Sequence, residues 1–219
     1  MNRLALAAAA LLLAGCSSSG TSDYAQYYRA LRQGVTASFR QGRITKAQAA
    51  AIPYASMGYR VNNSAEQLIV LATDANGEQL WTSGAHIVIV TRGGRIVRTV
   101  GLTNDVAAVT PAAGQPGPPT LAGLKGALTY SRLEDFPDIP VYGATITCTT
   151  RSQGGQTIVI LGRGISTVRI DEICRSPQLG WSFTDSYWLD RQTGLAWRSI
   201  QNINPKGEKI ETEILRPPS

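Results

Sequence analysis

From residue 54 to its end, the chain alternates short strand-like segments with turn residues, and this alternation constrains the fold more than any other feature. The segments YASMGYRV and EQLIVLATD open the series, and WSFTDSYWLD, GLAWRSIQNI and EKIETEIL close it. Turn sequences such as Asp74-Ala-Asn-Gly77 and Asn204-Pro-Lys-Gly207 separate the segments. About eleven such segments with regular turn signals are typical of antiparallel sheet. We therefore predict a mainly β chain that folds as one antiparallel, β-barrel-like domain.

Two short helices are predicted before the strands. The first runs from a cap at Asp23 to Gly34, with apolar and aromatic residues at helical spacing. The second begins at Thr45, which forms a capping box with Gln48, and ends before Pro53. Residues 23–219 are thus expected to form a single β-rich domain that begins with two short helices.

Residues 103–126 interrupt the strand pattern, because Pro, Gly and Ala predominate there without periodicity. We predict a long surface loop or a crossover over these residues. Further along, Gln153-Gly-Gly-Gln156 predicts a turn that joins the strand ATITCTT to the strand TIVILG.

The N-terminus has the organisation of a bacterial export signal. Residues 1–15 carry one charge, Arg3, before an apolar run that is too short to span a bilayer. The string Leu13-Ala14-Gly15-Cys16 matches the lipoprotein signal, in which the cysteine is acylated. An ordinary secretory signal with a chance cysteine is the alternative. We predict that Cys16 carries the lipid and that residues 16–22 form a flexible tether.

The expected compartment and the charge exclude several classes of function. Ser17 stands where inner-membrane lipoproteins carry aspartate, which favours the outer membrane. The net charge of +6 is spread along the chain without a run of like charges, which argues against nucleic-acid binding. A basic excess is compatible with an anionic polymer or with the phosphate-rich envelope surface.

Cys148 and Cys174 share the apolar parity of their strands, and unpaired thiols are uncommon in secreted proteins. We therefore predict a disulfide between them. A simple three-strand meander with a turn at residues 153–156 argues against this bond, because it would offset the cysteines by roughly 26 Å. Either the bond is absent or the meander is wrong, and the compartment favours the bond.

The residue pattern is not typical of a catalytic or metal site. His86 is the only histidine and has no second ligand at metal spacing. Three carboxylate pairs remain as candidates for an enzymatic dyad: Glu134 with Asp135, Asp171 with Glu172, and Glu211 with Glu213. Adjacent strand residues point to opposite faces, and the last pair lies on the terminal strand. We predict no catalytic residue, no metal, no cofactor and no enzymatic activity.

Arginines near a tryptophan offer one candidate binding surface. Arg95 and Arg98 lie on opposite faces of one strand, and Arg198 follows Trp197 on another. The simpler interpretation is that one arginine is solvated and the other pairs with a carboxylate across strands. The sharper hypothesis is that Arg95, Arg98, Trp197 and Arg198 contribute to a positive surface for an anionic glycan or an acidic partner.

Several sequence blocks resemble the YjbF/GfcB-type lipoproteins, the group 4 capsule polysaccharide lipoprotein family. After the lipoprotein signal, these blocks are PYASMGYRV, GRIVRTVGL, YWLDRQTGLAWRSIQ and the closing EILRPP. The likeness covers about residues 25–217, and the loop at 103–126 is not part of it. The family's lipid-bearing cysteine corresponds to Cys16.

The resemblance implies a β-barrel-like fold, anchoring in the outer membrane on its periplasmic side, and a non-enzymatic accessory role in capsule or exopolysaccharide production or export. It implies two protein partners from the same gene cluster, an outer-membrane β-barrel protein and a periplasmic companion. Polysaccharide is a further expected partner, and nucleic acid is not.

The segment YWLDRQTGLAWRS also looks like hairpins of periplasmic half-barrels that carry lipoproteins or sense lipids. A half-barrel that binds a lipid or other apolar ligand is therefore the alternative function. An open apolar cavity would favour it, whereas a filled interior favours the accessory role.

Overall fold

One sheet of twelve strands, preceded by one helix, makes up the part of the protein described here. The computed structural model describes residues 42–115 and 117–218, and the structural statements below concern these ranges. Helix α1 spans Lys46–Ala50. The strands are β1 Ser56–Val61, β2 Gln67–Ala75, β3 Glu78–Thr82, β4 Val88–Arg92, β5 Arg95–Val100, β6 Ala108–Pro111, β7 Leu128–Phe136, β8 Val141–Ile160, β9 Arg163–Ser176, β10 Trp181–Asp190, β11 Ala196–Asn202 and β12 Lys209–Arg216.

Neighbouring strands all pair antiparallel, in the order β5-β4-β3-β2-β1-β12-β11-β10-β9-β8-β7-β6. The two edge strands, β5 and β6, are consecutive in the chain, so the sheet curls until its edges approach each other. At this seam between β5 and β6, the Thr99 N–H donates to the Val106 carbonyl over 2.9 Å. The prediction of a mainly β, antiparallel, barrel-like fold is confirmed, and the barrel is nearly closed.

Helix α1 lies where the capping box predicted it. The Thr45 hydroxyl accepts a hydrogen bond from the Gln48 N–H, and the Gln48 side chain accepts one from the Thr45 N–H. The helix is only five residues long, and no helix in the described ranges has the length and hydropathy needed to cross a membrane.

Several sequence predictions fall on residues 1–41, which are outside the described ranges. They are the signal peptide at 1–15, the lipid at Cys16, the tether at 16–22 and the helix from Asp23 to Gly34. The described part therefore contains one short helix where two had been predicted before the sheet.

Strand β8 corrects the predicted meander. It runs through the expected turn at residues 153–156 without a break, and the chain reverses instead at Leu161 and Gly162, both at positive φ. Gly154, with φ of 84°, occupies a register shift within β8. Glycine here supplies a bulge instead of a turn. Because β8 continues straight into a long hairpin with β9, Cys148 and Cys174 lie directly opposite each other, and they form the predicted disulfide.

The predicted loop at residues 103–126 contains an edge strand, β6, which pairs with β7. Pro111 ends β6, a position that proline tolerates because an edge strand has one free side. Later in the same segment, Leu121 is buried against Ile170, Tyr187 and Leu189. The segment therefore closes over the end of the sheet and is not simply a surface loop.

Inward side chains from nearly every strand fill the space inside the sheet. The largest fully buried ones are Trp81, Tyr59, Tyr187 and Phe136. A second apolar layer lies on the outer face, where the far end of the β8–β9 hairpin curls over β10 and β12. There, isoleucines of the hairpin pack against Trp188 and Leu215.

Candidate functional site

Five charged side chains meet inside the sheet, among apolar ones. They are Arg95 of β5, Arg132 and Glu134 of β7, Glu172 of β9 and Asp185 of β10. Four of them, Arg132, Glu134, Glu172 and Asp185, alternate with buried apolar or aromatic residues on their strands, and Arg95 is the buried first residue of β5. We call these five residues the interior charge network. Buried charges require partners, and the network supplies them internally.

Glu172 is the centre of this network. Arg95 donates to it from Nη2 over 2.7 Å and from Nε over 3.2 Å. The hydroxyls of Tyr130 and Tyr187 also donate to its two carboxylate oxygens, over 3.0 and 3.2 Å. Burial alone would raise the pKa of Glu172, but Arg95, Arg132 and the Tyr130 hydroxyl together hold this pKa below its ordinary value. Glu172 is therefore ionised at neutral pH.

Arg132 links Glu172 to the other two carboxylates. Its Nε donates to Glu134 over 2.6 Å, and its Nη2 lies 3.7 Å from an oxygen of Asp185. Its Nη1 lies 3.7 Å from Glu172. Burial acts to lower the pKa of Arg132, but Glu134 and its other neighbours raise this pKa well above the ordinary value. The guanidinium thus keeps its charge inside the sheet.

Burial makes Asp185 a weaker acid than an exposed aspartate. Burial raises its pKa to about 7, although Arg132 and two hydrogen bonds from Asn202 oppose the rise. Those bonds run from the Asn202 backbone and side-chain nitrogens to the same carboxylate oxygen, over 2.7 and 3.0 Å. Asp185 therefore changes its protonation near neutral pH.

A cavity of about 340 Å³ opens at the seam, beside the interior charge network. Arg92, Arg95 and Arg132 line it, together with residues 117–122 of the segment between β6 and β7. None of the described residues that line it is an aspartate or glutamate. We call it the seam cavity.

The predicted surface of Arg95, Arg98, Trp197 and Arg198 requires correction, because the four residues do not share one surface. Arg95 is buried and paired with Glu172, whereas Arg98 is exposed and has no ion-pair partner in the described part of the chain. This arrangement is the one that the simpler interpretation predicted, with one arginine solvated and the other paired with a carboxylate. Five strands separate β5 from β11 in the sheet order.

Arg198 and Trp197 are engaged locally on β11. Arg198 donates to Glu213 from Nε over 2.7 Å and to the Val159 carbonyl over 3.2 Å. The Trp197 indole N–H donates to Asp190 over 3.3 Å. Arg198 thus helps to hold the curled β8–β9 hairpin, and its charge is compensated.

The carboxylate pairs Asp171 with Glu172 and Glu211 with Glu213 are arranged differently in the structure. Glu172 points inward while Asp171 pairs with an arginine on the other face. Glu211 and Glu213 share the outer face and both pair with Arg43, which precedes α1. No group of three or more His, Cys, Asp and Glu residues within 42–115 and 117–218 could hold a metal ion.

Sequence reasoning missed the interior charge network and the seam cavity. The signal for the network was present, because Arg132 and Glu134 occupy the same parity as Tyr130 and Phe136. A charged residue at an apolar parity predicts an interior partner. The cavity had no such signal, because it depends on how residues 117–122 cross the seam.

Comparisons with known proteins agree on one family. A family model described as "Group 4 capsule polysaccharide lipoprotein gfcB, YjbF" matches residues 29–215. The chain is 28% identical to the Escherichia coli K12 "Uncharacterized lipoprotein GfcB" over 221 residues, which cover 99% of each chain. It is 26% identical to the "Uncharacterized lipoprotein YjbF" of the same organism over 167 residues, covering 75% of this chain and 76% of the other.

A crystal structure of the hypothetical lipoprotein YmcC from Escherichia coli K12 has a similar fold. Its TM-score to this chain is 0.73 at 25% sequence identity, and the match covers 92% of this chain and 99% of that chain. Together with the family model, which spans most of the sequence, this similarity gives the identity of the family. The chain belongs to the group 4 capsule polysaccharide lipoprotein family of GfcB and YjbF.

Proposed function

We propose that the protein is a lipid-anchored accessory factor in capsule or exopolysaccharide production or export. In this proposal Cys16 carries the lipid, the anchor lies in the outer membrane, and the β domain faces the periplasm and performs no catalysis. The observation that carries the proposal is the family match over residues 29–215, since the family is described as one of capsule polysaccharide lipoproteins.

Two further observations support the compartment. The Cys148–Cys174 disulfide is typical of proteins that fold in an oxidising compartment such as the periplasm. The string that ends at Cys16 is the one that lipoprotein acylation requires. An acylated N-terminus with several chains would give stable membrane anchoring.

The interior of the sheet supports the accessory role over the lipid-binding alternative. A half-barrel that holds an acyl chain needs an open apolar cavity. Here Trp81, Tyr59 and Phe136 fill the interior, and the seam cavity is lined by three arginines. An expected partner in this role is an outer-membrane β-barrel protein from the same gene cluster, together with a periplasmic companion.

A deletion strain complemented with variants tests the proposal. We expect deletion to lower surface polysaccharide, the wild-type gene to restore it, and Cys16→Ser to restore little because the protein loses its anchor. Ser17→Ala is the matched control and should restore surface polysaccharide fully. Unchanged surface polysaccharide in the deletion strain would contradict the proposed role, and failure of labelled fatty acid to enter the wild-type protein would contradict the anchor.

A further inference from the structure

The seam cavity has a composition that none of the observations above explains. We propose that it binds an acidic sugar residue, a uronate, of the polysaccharide, with the sugar carboxylate against Arg95 and Arg132. This inference rests on the proposed function, because that function brings the protein into contact with polysaccharide. The volume of about 340 Å³ lies within the range of about 300–1,000 Å³ that is usual for small-molecule sites.

The charge of the lining selects an anion. Arg92, Arg95 and Arg132 line the cavity, and no carboxylate of the described residues does. The carboxylates that balance Arg95 and Arg132, foremost Glu172, do not line the cavity. A ligand in the cavity therefore meets three arginines and no carboxylate of the described residues, and a guanidinium matches the planar geometry of a carboxylate.

Both deep arginines keep donors that the rest of the network does not use. Arg95 binds Glu172 through Nε and Nη2, so Nη1 makes no hydrogen bond to any residue in the described ranges. Arg132 uses Nε and Nη1 for hydrogen bonds, and its Nη2 lies 3.7 Å from an Asp185 oxygen, which is beyond hydrogen-bond distance. Each guanidinium can thus donate to a ligand without leaving its present partner.

The walls of the cavity suit the body of a sugar. Val97 of β5, Val109 of β6 and Pro118 give apolar contact, which the C–H faces of a pyranose ring can cover. Thr110 and Thr120 line the cavity with hydroxyls and are exposed, so they can exchange water for sugar hydroxyls. A long acyl chain would leave three arginines in contact with hydrocarbon, at a large desolvation cost.

Single carboxylates placed in the cavity provide the test. We choose Thr120→Glu and Thr110→Glu, because both threonines are exposed and neither belongs to the apolar core. Thr120→Gln has the same size without the charge. Thr129→Glu adds the same charge on an exposed position of β7 that does not line the cavity.

The measurement is calorimetric titration of the full-length protein, purified in a mild detergent, with an oligoglucuronate. We expect binding that weakens as the salt concentration rises. Thr120→Glu and Thr110→Glu should each weaken binding by about tenfold or more, which corresponds to about 1.4 kcal/mol. Thr120→Gln and Thr129→Glu should bind as the wild type does. A neutral glucan oligomer of the same length should not bind.

Each other outcome overturns the inference. Equal binding of oligoglucuronate to Thr120→Glu, Thr110→Glu and the wild type would place the ligand elsewhere, and absence of binding would show that the cavity takes no uronate. Binding of inorganic phosphate or of a short-chain phosphatidylglycerol, but not of oligoglucuronate, would assign the arginines to a phosphate group. If binding fails while the wild-type gene still restores surface polysaccharide, only this inference is lost and the proposed function stands.

Discussion

Arg95 and Glu172 form a buried ion pair across the inside of the sheet, with the Arg95 Nη2 2.7 Å from a Glu172 oxygen. They belong to β5 and β9, which are not neighbours in the sheet order. The pair therefore joins the β5 edge of the sheet at the seam to β9, the fourth strand from the opposite edge. Since the side-chain exposures are only 8% and 0%, solvent screens this interaction weakly.

Removal of one partner of this pair should destabilise the protein strongly. We expect Arg95→Met to lower the free energy of unfolding by about 3–5 kcal/mol, because it leaves Glu172 buried with less compensation. The double variant Arg95→Met with Glu172→Gln should recover much of this loss. Arg98→Met, on the exposed face of the same strand, should change the value by no more than about 0.5 kcal/mol. Urea unfolding of these three variants and of the wild type provides the measurement. Equal effects of Arg95→Met and Arg98→Met would contradict the buried pair.

Asp185 should make stability depend on pH. Its pKa is about 7 in the folded protein and about 3.9 in an unfolded chain, so the folded state holds the proton more tightly between these values. The stabilising contribution of this proton is fully present below about pH 4 and is lost as the pH rises through about 7. Asp185→Asn cannot ionise and should escape this loss.

The comparison of variant and wild type isolates that contribution. Between pH 5 and pH 7, the free energy of unfolding of Asp185→Asn should rise relative to the wild type by about 1 kcal/mol per pH unit. Asp74→Asn, an exposed position on β2, is the control for loss of a carboxylate. A difference between Asp185→Asn and wild type that is the same at pH 5 and pH 8 would contradict the raised pKa of Asp185.

The disulfide should contribute substantially to stability. It closes a loop with a sequence separation of 26 residues, for which chain entropy predicts roughly 3 kcal/mol. We expect the double variant Cys148→Ala with Cys174→Ala to lose about that amount in chemical unfolding. Wild-type protein unfolded under reducing conditions should match the double variant. Two free thiols in denatured protein prepared from the envelope without reductant would show that the bond does not form.

The disulfide also illustrates which parts of this fold could be predicted from sequence. The inward parity of Cys148 and Cys174 and the expected oxidising compartment predicted their bond correctly. Parity follows from neighbouring residues, and the compartment follows from the N-terminal signal, so neither depends on strand register. The register of their strands was predicted wrongly, because Gly154 and Gly155 have the local appearance of a turn. Whether two glycines form a turn or a bulge depends on the partner strand, and here β9 continues the pairing on both sides.

The interior charge network could likewise be predicted from sequence only in part. Parity alone indicates that Arg132 and Glu172 face inward, since both alternate with apolar residues on their strands. The choice of partners follows from curvature, which brings Arg95 to Glu172 over a sequence separation of 77 residues. No local sequence pattern indicates that two residues so far apart in the chain will meet. The same curvature creates the seam cavity, so sequence reasoning could state that Arg95 either pairs with a carboxylate or contributes to a positive surface, but it could not identify Glu172 as the partner.

Gly94 provides a test of the close packing beside that cavity. It has φ of +86°, and a Cβ at this position would lie 2.6 Å from the Cβ of Ala196 on β11. Its neighbour Gly93 also has positive φ, at +55°, but a Cβ there meets nothing within 4 Å. Substitution of Gly93 by alanine therefore introduces backbone strain alone, whereas the same change at Gly94 adds a clash.

We expect Gly93→Ala to lower the free energy of unfolding by roughly 1–2 kcal/mol, the cost of a left-handed conformation for alanine. Gly94→Ala should lower it by a further 1–3 kcal/mol or so, because the added methyl group forces β5 and β11 apart. Ala196→Gly in the Gly94→Ala background should remove the loss of stability that the clash causes and leave the loss that the left-handed conformation causes. Thermal and urea unfolding of these variants provide the measurement. Equal destabilisation by Gly93→Ala and Gly94→Ala, or no recovery with Ala196→Gly, would mean that the β4–β5 turn does not pack against β11 as closely as described.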